Sequence, residues 1–457
     1  MASGHAASRR IGAHPRLDAF LGVEKKEERE NRSYLIYLLV IATVGWALAS
    51  YDFNLLVVAI PTIAKDLSLS PGEVGLMGFV IYGAMMVISL SVGWAMDTWG
   101  RREMWMLALV CAAVFTGLTF FVQNFWELVA VRALASGFAN SELAISITLV
   151  NEEVPAERRG FLYSVVQGGW PLGVLLASGV FLGFNGLIGW HAVFLLGVVP
   201  LLAVIVGRFW VRPSERYQQV KELKEAKAAG DDERVDELLE KYDVDVDEVE
   251  GVTLKQIFTE GGWVRAQLLR TSVVWLLYSA AFVATNTYIV YWLTNYRHFG
   301  KMEALWLLLV SAGAGYFFYP LGGWLGERIG RQRVLIASAA AAVALNTLFY
   351  FLHTKWALWV VYFFVYQATN GTWSGVGYAY WAESFPTRVR GTAIGWLGAM
   401  FTGGLILGSG IWTLLIGSAS TAVVWFVVAV GYAAAQFVAS LFLPHIRPGQ
   451  ELEKVAT

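Results

Sequence analysis

Three ionisable side chains, Asp52, Arg132 and Glu142, lie well inside long apolar stretches of this sequence. A charged group in the hydrocarbon core of a membrane is costly unless it is paired or hydrated, so each is a functional candidate. A carboxyl group in a low-dielectric cavity can bind a proton near neutral pH. We therefore expect Asp52 and Glu142 to carry protons. For Asp52 the alternative is a structural hydrogen bond to a neighbouring helix.

The guanidinium of Arg132 presents five donors in a fork that fits a carboxylate. It could bind an anionic solute directly, or act as a structural or proton-relay partner. A direct contact between Arg132 and Glu142 is not expected, because ten residues of one helix separate them by about 15 Å.

Amides and aromatic rings inside other apolar stretches are further candidates for solute contacts. They suit hydroxylated or carboxylated solutes, although Trp and Tyr are also ordinary residues of membrane interfaces. A proline and several glycines beside Trp170 would permit that stretch to bend. The candidates are Asn54, Gln167, Trp170, Asn286, Tyr288, Gln367, Asn370 and Trp373.

The elements that must position these residues are membrane-spanning helices. Of the 457 residues, 57% are apolar and 15% are charged, whereas soluble domains have about 25% charged residues. The net charge of −1 argues against nucleic-acid binding, and the single Cys111 excludes a disulfide framework or a zinc cluster.

We expect an all-α membrane protein with no cofactor and no metal. Twelve apolar segments, each about long enough to cross a bilayer, lie near residues 35–60, 74–95, 104–122, 127–150, 161–183, 190–210, 267–293, 303–325, 334–352, 356–381, 392–416 and 421–443.

The positive charges are distributed unequally between the two ends of these segments. Of the 34 lysines and arginines, 28 fall on one side, four fall on the other, and Arg132 and Arg270 lie within segments. The positive-inside rule then places both termini in the cytoplasm. We expect a multi-pass protein of the plasma membrane, in a bacterial inner membrane. The expected organisation is a cytoplasmic tail (1–33), a six-helix bundle (34–211), a charged cytoplasmic linker (212–264), a second six-helix bundle (265–443) and a cytoplasmic tail (444–457).

Two sequence signatures occur twice, in the same order. Gly93-Trp-Ala-Met-Asp-Thr-Trp-Gly-Arg-Arg102 returns 230 residues later as Gly323-Trp-Leu-Gly-Glu-Arg-Ile-Gly-Arg331, and the stretch from Glu152 to Gly160 returns 231 residues later at Glu383. An acid at the C-terminal end of a helix is unfavourable against the helix dipole and needs a partner. We expect these loops to be conformational switches, the alternative being plain positively charged turns. The expected switch residues are Gly93, Asp97, Gly100, Arg101, Arg102, Glu152, Arg159, Gly323, Glu327, Gly330, Arg331, Glu383 and Arg390.

This pattern resembles the major facilitator superfamily over residues 35–443, whose hallmark is the G-x-x-x-D-x-x-G-R-R loop. The E-x-x-P-x-x-x-R-G repeats are similar to those of the sugar-porter and the metabolite– or organic-ion–proton symporter branches. Arg132 and Glu142 resemble the R-x9-E stretch of sialate- and metabolite–proton symporters. Ala49-Ser-Tyr-Asp52 is similar to the D-G-x-D of aromatic-acid–proton symporters.

The resemblance implies two pseudo-symmetric six-helix halves that rock about a site near the bilayer midplane. We expect a secondary transporter rather than an enzyme, moving a small organic solute, with a carboxylate as the favoured class, together with protons by alternating access. Its expected partners are that solute, protons and the lipid bilayer, and it is expected to function as a monomer. The alternatives are a sugar or polyol porter, working by symport or facilitated diffusion, and a membrane sensor built on a transporter fold.

Overall fold

The computed structural model describes residues 32–99, 101–153, 159–208, 222–223, 226, 229–242, 258, 262–385 and 387–446. Within these ranges every regular element is helical. The first half contains α1 (Arg32–Asp66), α2 (Pro71–Trp99), α3 (Arg101–Leu118), α4 (Phe125–Glu153), α5 (Arg159–Gln167) and α6 (Gly169–Arg208), and α7 (Asp232–Tyr242) follows in the charged linker. The second half contains α8 (Gly262–Phe282), α9 (Ile289–Tyr296), α10 (Lys301–Ile329), α11 (Arg331–Phe351), α12 (Lys355–Tyr366), α13 (Trp373–Glu383), α14 (Thr387–Ile416), α15 (Thr421–Trp425) and α16 (Tyr432–Ser440).

These helices account for the twelve expected crossings. The fifth crossing runs from α5 into α6, and the sixth follows it in α6 after Gly189, which has a φ of 78°. Three further crossings are each interrupted by a π turn: Val283–Thr287 joins α8 to α9, Gln367–Thr372 joins α12 to α13, and Phe426–Gly431 joins α15 to α16. Nine spans in the described part of the chain are individually long and apolar enough to cross a membrane. The protein is an all-α membrane protein with twelve transmembrane helices in two pseudo-symmetric halves.

Close contact between α1 and α6 places the fifth segment beside Asp52. A Cβ atom added at Gly173 would lie 2.2 Å from the carbonyl oxygen of Ala47, and one added at Gly169 would lie 2.6 Å from that of Thr43. Only glycine permits backbones to approach this closely. Trp170 follows Gly169 directly, so this contact fixes its position against α1.

We call the face that carries the turn between α1 and α2 the outer face, and the opposite one the inner face, following the charge asymmetry of the sequence. On the outer side, α9 of the second half contacts α1 of the first. On the inner side, α13 of the second half contacts α5 of the first. Between them α2 packs along α14, and α10 packs along α5 and α6. The two halves therefore touch near both faces.

Candidate functional site

Asp52 and Arg132 form an ion pair inside the first half, and neither side chain has any exposed surface. Asp52 lies in the middle of α1 and Arg132 lies in α4. The two terminal nitrogens of Arg132 donate to the two carboxylate oxygens at 3.1 and 2.9 Å, and one of them also donates to the backbone carbonyl of Asp52 at 3.0 Å. This two-pronged geometry is the strongest arrangement of a guanidinium on a carboxylate.

Two neighbours that sequence reasoning missed complete this cluster. The hydroxyl of Thr116 in α3 donates to the same carboxylate, and the ring of Phe194 in α6 lies 5.1 Å from the guanidinium carbon of Arg132. The remaining side-chain nitrogen of Arg132, Nε, is buried with no hydrogen-bond partner among the described residues. Helices α1, α3, α4 and α6 thus meet at this ion pair, which is shielded from water.

A wall of aromatic rings borders α1 on the other side of Asp52. The ring of Trp170 lies 5.3 Å from Trp46, 5.6 Å from Phe53 and 6.3 Å from Phe282, measured between ring centres. Because Trp46 and Phe53 belong to α1 and Phe282 ends α8, these rings connect the two halves near the middle of the bundle. The expected contact Trp170 lies at their centre.

The polar candidates of the first half sit around the same tryptophan. Ser50 donates to the backbone carbonyl of Trp170 at 2.7 Å, and the amide of Asn54 donates to the carbonyl and hydroxyl of Ser50 at 2.8 and 3.1 Å. Gln167 is buried at the end of α5. Asn54 therefore supports the backbone that carries Trp170, which is a positioning contact in this state.

In the second half, the π turns bring three of the expected amides inward. Asn370 donates to the side-chain oxygen of Asn286 at 2.7 Å, and Gln367 donates to the carbonyl of Ser311 at 2.8 Å. The side-chain oxygens of Asn370 and Gln367 are buried without a hydrogen-bond partner among the described residues. Such atoms are costly to bury unless something else bonds to them. These two oxygens are therefore acceptors that the described residues leave unsatisfied.

Trp373 and the second half's own aromatic residues continue the wall. Trp373 is buried and its ring stacks on Tyr278, with 5.2 Å between ring centres. Its indole nitrogen has no partner among the described residues. Tyr278 in turn lies 6.2 Å from Phe282. The aromatic wall thus runs from Trp46 in the first half to Trp373 in the second.

Tyr288, an expected solute contact, lies at the outer contact between the halves. Its hydroxyl donates to the carbonyl of Gly75 at 3.0 Å, and the hydroxyls of Tyr82 and Thr287 are 2.7 Å apart. A Cβ atom added at Gly78 would lie 2.1 Å from the hydroxyl of Tyr288. The end of one π turn is therefore hydrogen-bonded to α2, which joins the two halves on the outer side.

The repeated loop signatures meet each other at the inner end of the second half. Arg331 is buried and pairs with Glu383 at 2.5 Å, so the first signature contacts the second. Glu327 also interacts electrostatically with Arg331. Gly330 precedes Arg331 with a φ of 98°, a conformation that favours glycine. Gly323 faces Ser164 of α5, where an added Cβ would lie 3.0 Å from the serine hydroxyl.

Several expected residues lie outside what the structure describes. Glu142 belongs to α4, but its side chain is among those not described, so its role stays a prediction. Gly100 is not described. The structure also does not describe the surroundings of Gly93 or the side chains of Asp97, Arg101, Arg102, Glu152, Arg159 and Arg390.

The Arg331–Glu383 pair gives a test of the switch interpretation. We expect Arg331→Gln to slow turnover about tenfold, because the carboxylate of Glu383, which is 28% exposed, loses its buried partner, and a shift of about 1.4 kcal/mol in the balance between conformations is tenfold. The dissociation constant of the solute should change less than about twofold, since the pair lies at the inner end of the bundle. Turnover and equilibrium binding are measured on the same purified protein.

A second ion pair serves as the control. Lys355 and Glu303 are 2.6 Å apart, but their side chains are 52% and 31% exposed. An exposed pair contributes about 0–1 kcal/mol, so Lys355→Gln should leave turnover unchanged. A loss of affinity at normal turnover in Arg331→Gln would contradict the switch interpretation.

Comparison with known sequences identifies the family. The profile described as the Major Facilitator Superfamily matches residues 42–317 and 274–456, which together cover nearly the whole chain. The chain belongs to the major facilitator superfamily. Its resemblance to this superfamily, expected from the loop signatures, is thereby confirmed, and the protein is a transporter rather than an enzyme.

Among curated members of the superfamily, the chain is similar to transporters of small organic molecules. It is 25% identical over 384 residues to the niacin transporter NiaP of Acinetobacter baylyi, covering 79% of this chain and 83% of that protein. It is 25% identical over 402 residues to the cis,cis-muconate transport protein of the same organism, covering 84% of each. The 4-hydroxybenzoate transporter PcaK of that organism is 24% identical over 376 residues, covering 78% of this chain and 80% of PcaK.

Solved structures of superfamily members share this fold. The proton:xylose symporter XylE bound to 6-bromo-6-deoxy-D-glucose superposes with a TM-score of 0.70 at 19% identity, covering 93% of this chain and 100% of XylE. A partially occluded, inward-open structure of XylE from E. coli gives a TM-score of 0.68 at 18% identity, covering 90% of this chain and 98% of XylE. At this identity the similarity establishes the fold.

Proposed function

We propose that this superfamily member couples the movement of a small planar organic acid to protons by alternating access. The observation that carries the proposal is the fully buried Asp52–Arg132 pair. A proton on Asp52 removes its negative charge, weakens its hold on Arg132 and changes the contact between α1 and α4. Ion pairing and proton binding are therefore alternatives at one carboxyl group.

The neighbours of Asp52 suit this exchange. Thr116 donates to the ionised carboxylate, and a hydroxyl can turn to accept a hydrogen bond from the protonated acid. When Asp52 is protonated, the fork of Arg132 is free to attract another carboxylate. We infer that a negatively charged solute and a proton favour the same state, which is what symport requires.

The solute class follows from the aromatic wall and the amides. The flat rings of Trp170, Trp46 and Phe53 are of the kind that stacks on planar unsaturated molecules. The free amide oxygens of Gln367 and Asn370 accept hydrogen bonds from hydroxyl or protonated ring groups. The relatives named for niacin, cis,cis-muconate and 4-hydroxybenzoate transport support this class.

A sugar or polyol is the second candidate for the solute, because the same amides also suit hydroxyl groups.

We further propose the organisation expected from the sequence. It has helix bundles at 34–211 and 265–443, a cytoplasmic linker and cytoplasmic tails, and the protein is a monomer in the inner membrane of a bacterium. Glu142 remains our second candidate proton carrier.

The test of function is uptake by purified protein in proteoliposomes under an imposed pH gradient, inside alkaline. The panel contains aromatic carboxylates, aliphatic carboxylates and sugars. Concentration of an aromatic carboxylate that collapses with a protonophore supports the proposal. Uptake of sugars alone, or uptake indifferent to the gradient, contradicts it.

The contribution of Trp170 can be tested separately. We expect Trp170→Leu to raise the KM for aromatic acids about tenfold, because loss of ring stacking and contact area removes about 1.4 kcal/mol of binding. The KM for aliphatic acids should change less than about threefold. Trp126→Leu is the control, since Trp126 is 64% exposed outside the aromatic wall. Equal increases for both solute classes would show that Trp170 acts through packing alone.

A further inference from the structure

A third internal repeat relates the seventh and tenth segments. Tyr278 is followed seven residues later by Thr285-Asn286, and Tyr362 is followed seven residues later by Thr369-Asn370. The two copies are 84 residues apart, and in each an alanine precedes the threonine. Both Thr-Asn pairs lie in π turns. This spacing places the same three side chains at the same point of two helices.

The two copies bind each other reciprocally. The hydroxyl of Tyr278 donates to the backbone carbonyl of Thr369 at 2.9 Å, and the hydroxyl of Tyr362 donates to that of Thr285 at 3.0 Å. Each tyrosine thus holds the π turn of the other copy. The bond from Asn370 to Asn286 lies between these two ties. All six residues are buried.

Each π turn leads directly into a helix that closes one face of the protein. The first is followed by Tyr288 and α9, which contact α2 and α1 on the outer side. The second is followed by α13, which contacts α5 on the inner side. A π turn contains one residue more than an α-helical turn, so a shift to α-helical bonding would rotate the helix that follows.

We propose that Tyr278 and Tyr362 are positioning residues that link the two π turns, so that α9 and α13 cannot move away from the first half at the same time. When one turn changes its hydrogen bonding, its carbonyl and the helix that follows it move, and the other turn is held in place by the ties. The proposal rests on transport by alternating access. It adds a physical reason why the two faces do not open together.

The variants that test this are Tyr278→Phe, Tyr362→Phe and the double variant, each of which removes only hydroxyl groups. Because the ties act in parallel, each single change should reduce gradient-driven accumulation less than about twofold, and the double change should reduce it about tenfold. Exchange at equal solute concentrations should fall less than about twofold in all three. Tyr380→Phe is the control, because its hydroxyl bonds to Pro444 at 2.9 Å, away from both turns.

A second measurement needs neither solute nor protons. A Cβ atom added at Gly75 would lie 3.1 Å from the Cβ and 2.8 Å from the Cα of Thr413, so α2 and α14 must separate slightly to reach the usual Cβ–Cβ separation of about 3.8 Å in a disulfide. In a Cys111→Ser background, cysteines at these two positions would lock the outer side on oxidation. A third cysteine at Ser164, on the inner side, reports opening through its rate of maleimide labelling in detergent.

With the tyrosines present, locking the outer side should raise the labelling rate of the Ser164→Cys position about threefold or more. In the double phenylalanine variant, labelling should already be fast and should not respond to the lock. Labelling that responds equally in both proteins would overturn the proposal, as would parallel losses of accumulation and exchange in the double variant. If the parent protein does not accumulate carboxylates but the lock still controls labelling, the proposed solute and coupling fail while the role of the tyrosines stands.

Discussion

Asp52→Asn should abolish the accumulation of solute driven by a pH gradient, lowering the steady-state ratio about tenfold or more, to that of passive equilibration. Asparagine has the shape of the protonated acid but cannot release a proton. Exchange of solute at equal concentrations on both sides does not require proton release, so it should remain partly intact. The measurement pairs gradient-driven uptake with exchange in the same proteoliposomes.

Stability must be separated from coupling, because the substitution leaves Arg132 buried without its partner. Breaking a buried ion pair costs about 3–5 kcal/mol, whereas replacing both partners is often neutral. The double variant Asp52→Asn/Arg132→Met should therefore regain thermal stability in detergent without regaining accumulation. Recovery of both together would show that the pair is structural.

Glu142→Gln tests the second candidate carrier under the same conditions. If Glu142 also carries protons, this variant loses accumulation as Asp52→Asn does. If both variants still concentrate solute with the wild-type dependence on the gradient, the protein is a uniporter or uses another coupling ion, and our assignment of Asp52 is wrong.

Gly78→Ala should cause the second large effect, by preventing closure of the outer side. The added Cβ would lie 2.1 Å from the hydroxyl and 3.1 Å from the ring carbon that carries it in Tyr288, so the tyrosine must leave its position on Gly75. We expect transport to fall about tenfold, because the balance shifts by about 1.4 kcal/mol or more toward the state open to the outer side.

The shift can be observed with a reporter cysteine at Met77, which lines the crevice between α1, α2 and the first π turn. In a Cys111→Ser background, Gly78→Ala should speed labelling of Met77→Cys by an impermeant maleimide from the outer side. Gly83→Ala is the matched control on the same helix, since nothing lies within 4 Å of its added Cβ. Slow labelling in Gly78→Ala would mean that Tyr288 adapts without opening this side.

The sequence was sufficient to select Asp52 and Arg132 but not to pair them. Each was recognised because an isolated charge in an apolar segment requires an explanation. Their contact joins residues 80 positions apart, and the packing of α1 against α4 is not encoded in the periodicity of either helix. For the same reason the contacts of Thr116 and Phe194 with this ion pair could not be predicted, because threonine and phenylalanine are common in membrane helices and nothing in the sequence distinguishes these two.

The placement of Tyr288 shows a different limit. Its aromatic ring and phenolic hydroxyl suit a solute site, which stays a prediction, whereas its contact with Gly75 and Gly78 of α2 could not be read from its residue type. The π turns were also not foreseen, since no residue type specifies one. The helix count and the loop signatures, in contrast, depend on composition and repetition along the chain, which a single sequence displays directly.

The 84-residue spacing of the Tyr–Thr–Asn copies also bears on symmetry. The seventh segment runs from the inner to the outer face and the tenth runs in the opposite direction, so the copies are related by a twofold axis in the membrane plane, as in inverted repeats. The same reciprocal tyrosine contacts then act on both faces. If the copies were perfectly symmetric, the inward- and outward-facing states would be equal in energy. The resting preference must come from positions where the copies differ. They include Val283, which corresponds to Gln367 just before the shared Ala-Thr-Asn, and Thr287 and Tyr288, which correspond to Gly371 and Thr372 just after it.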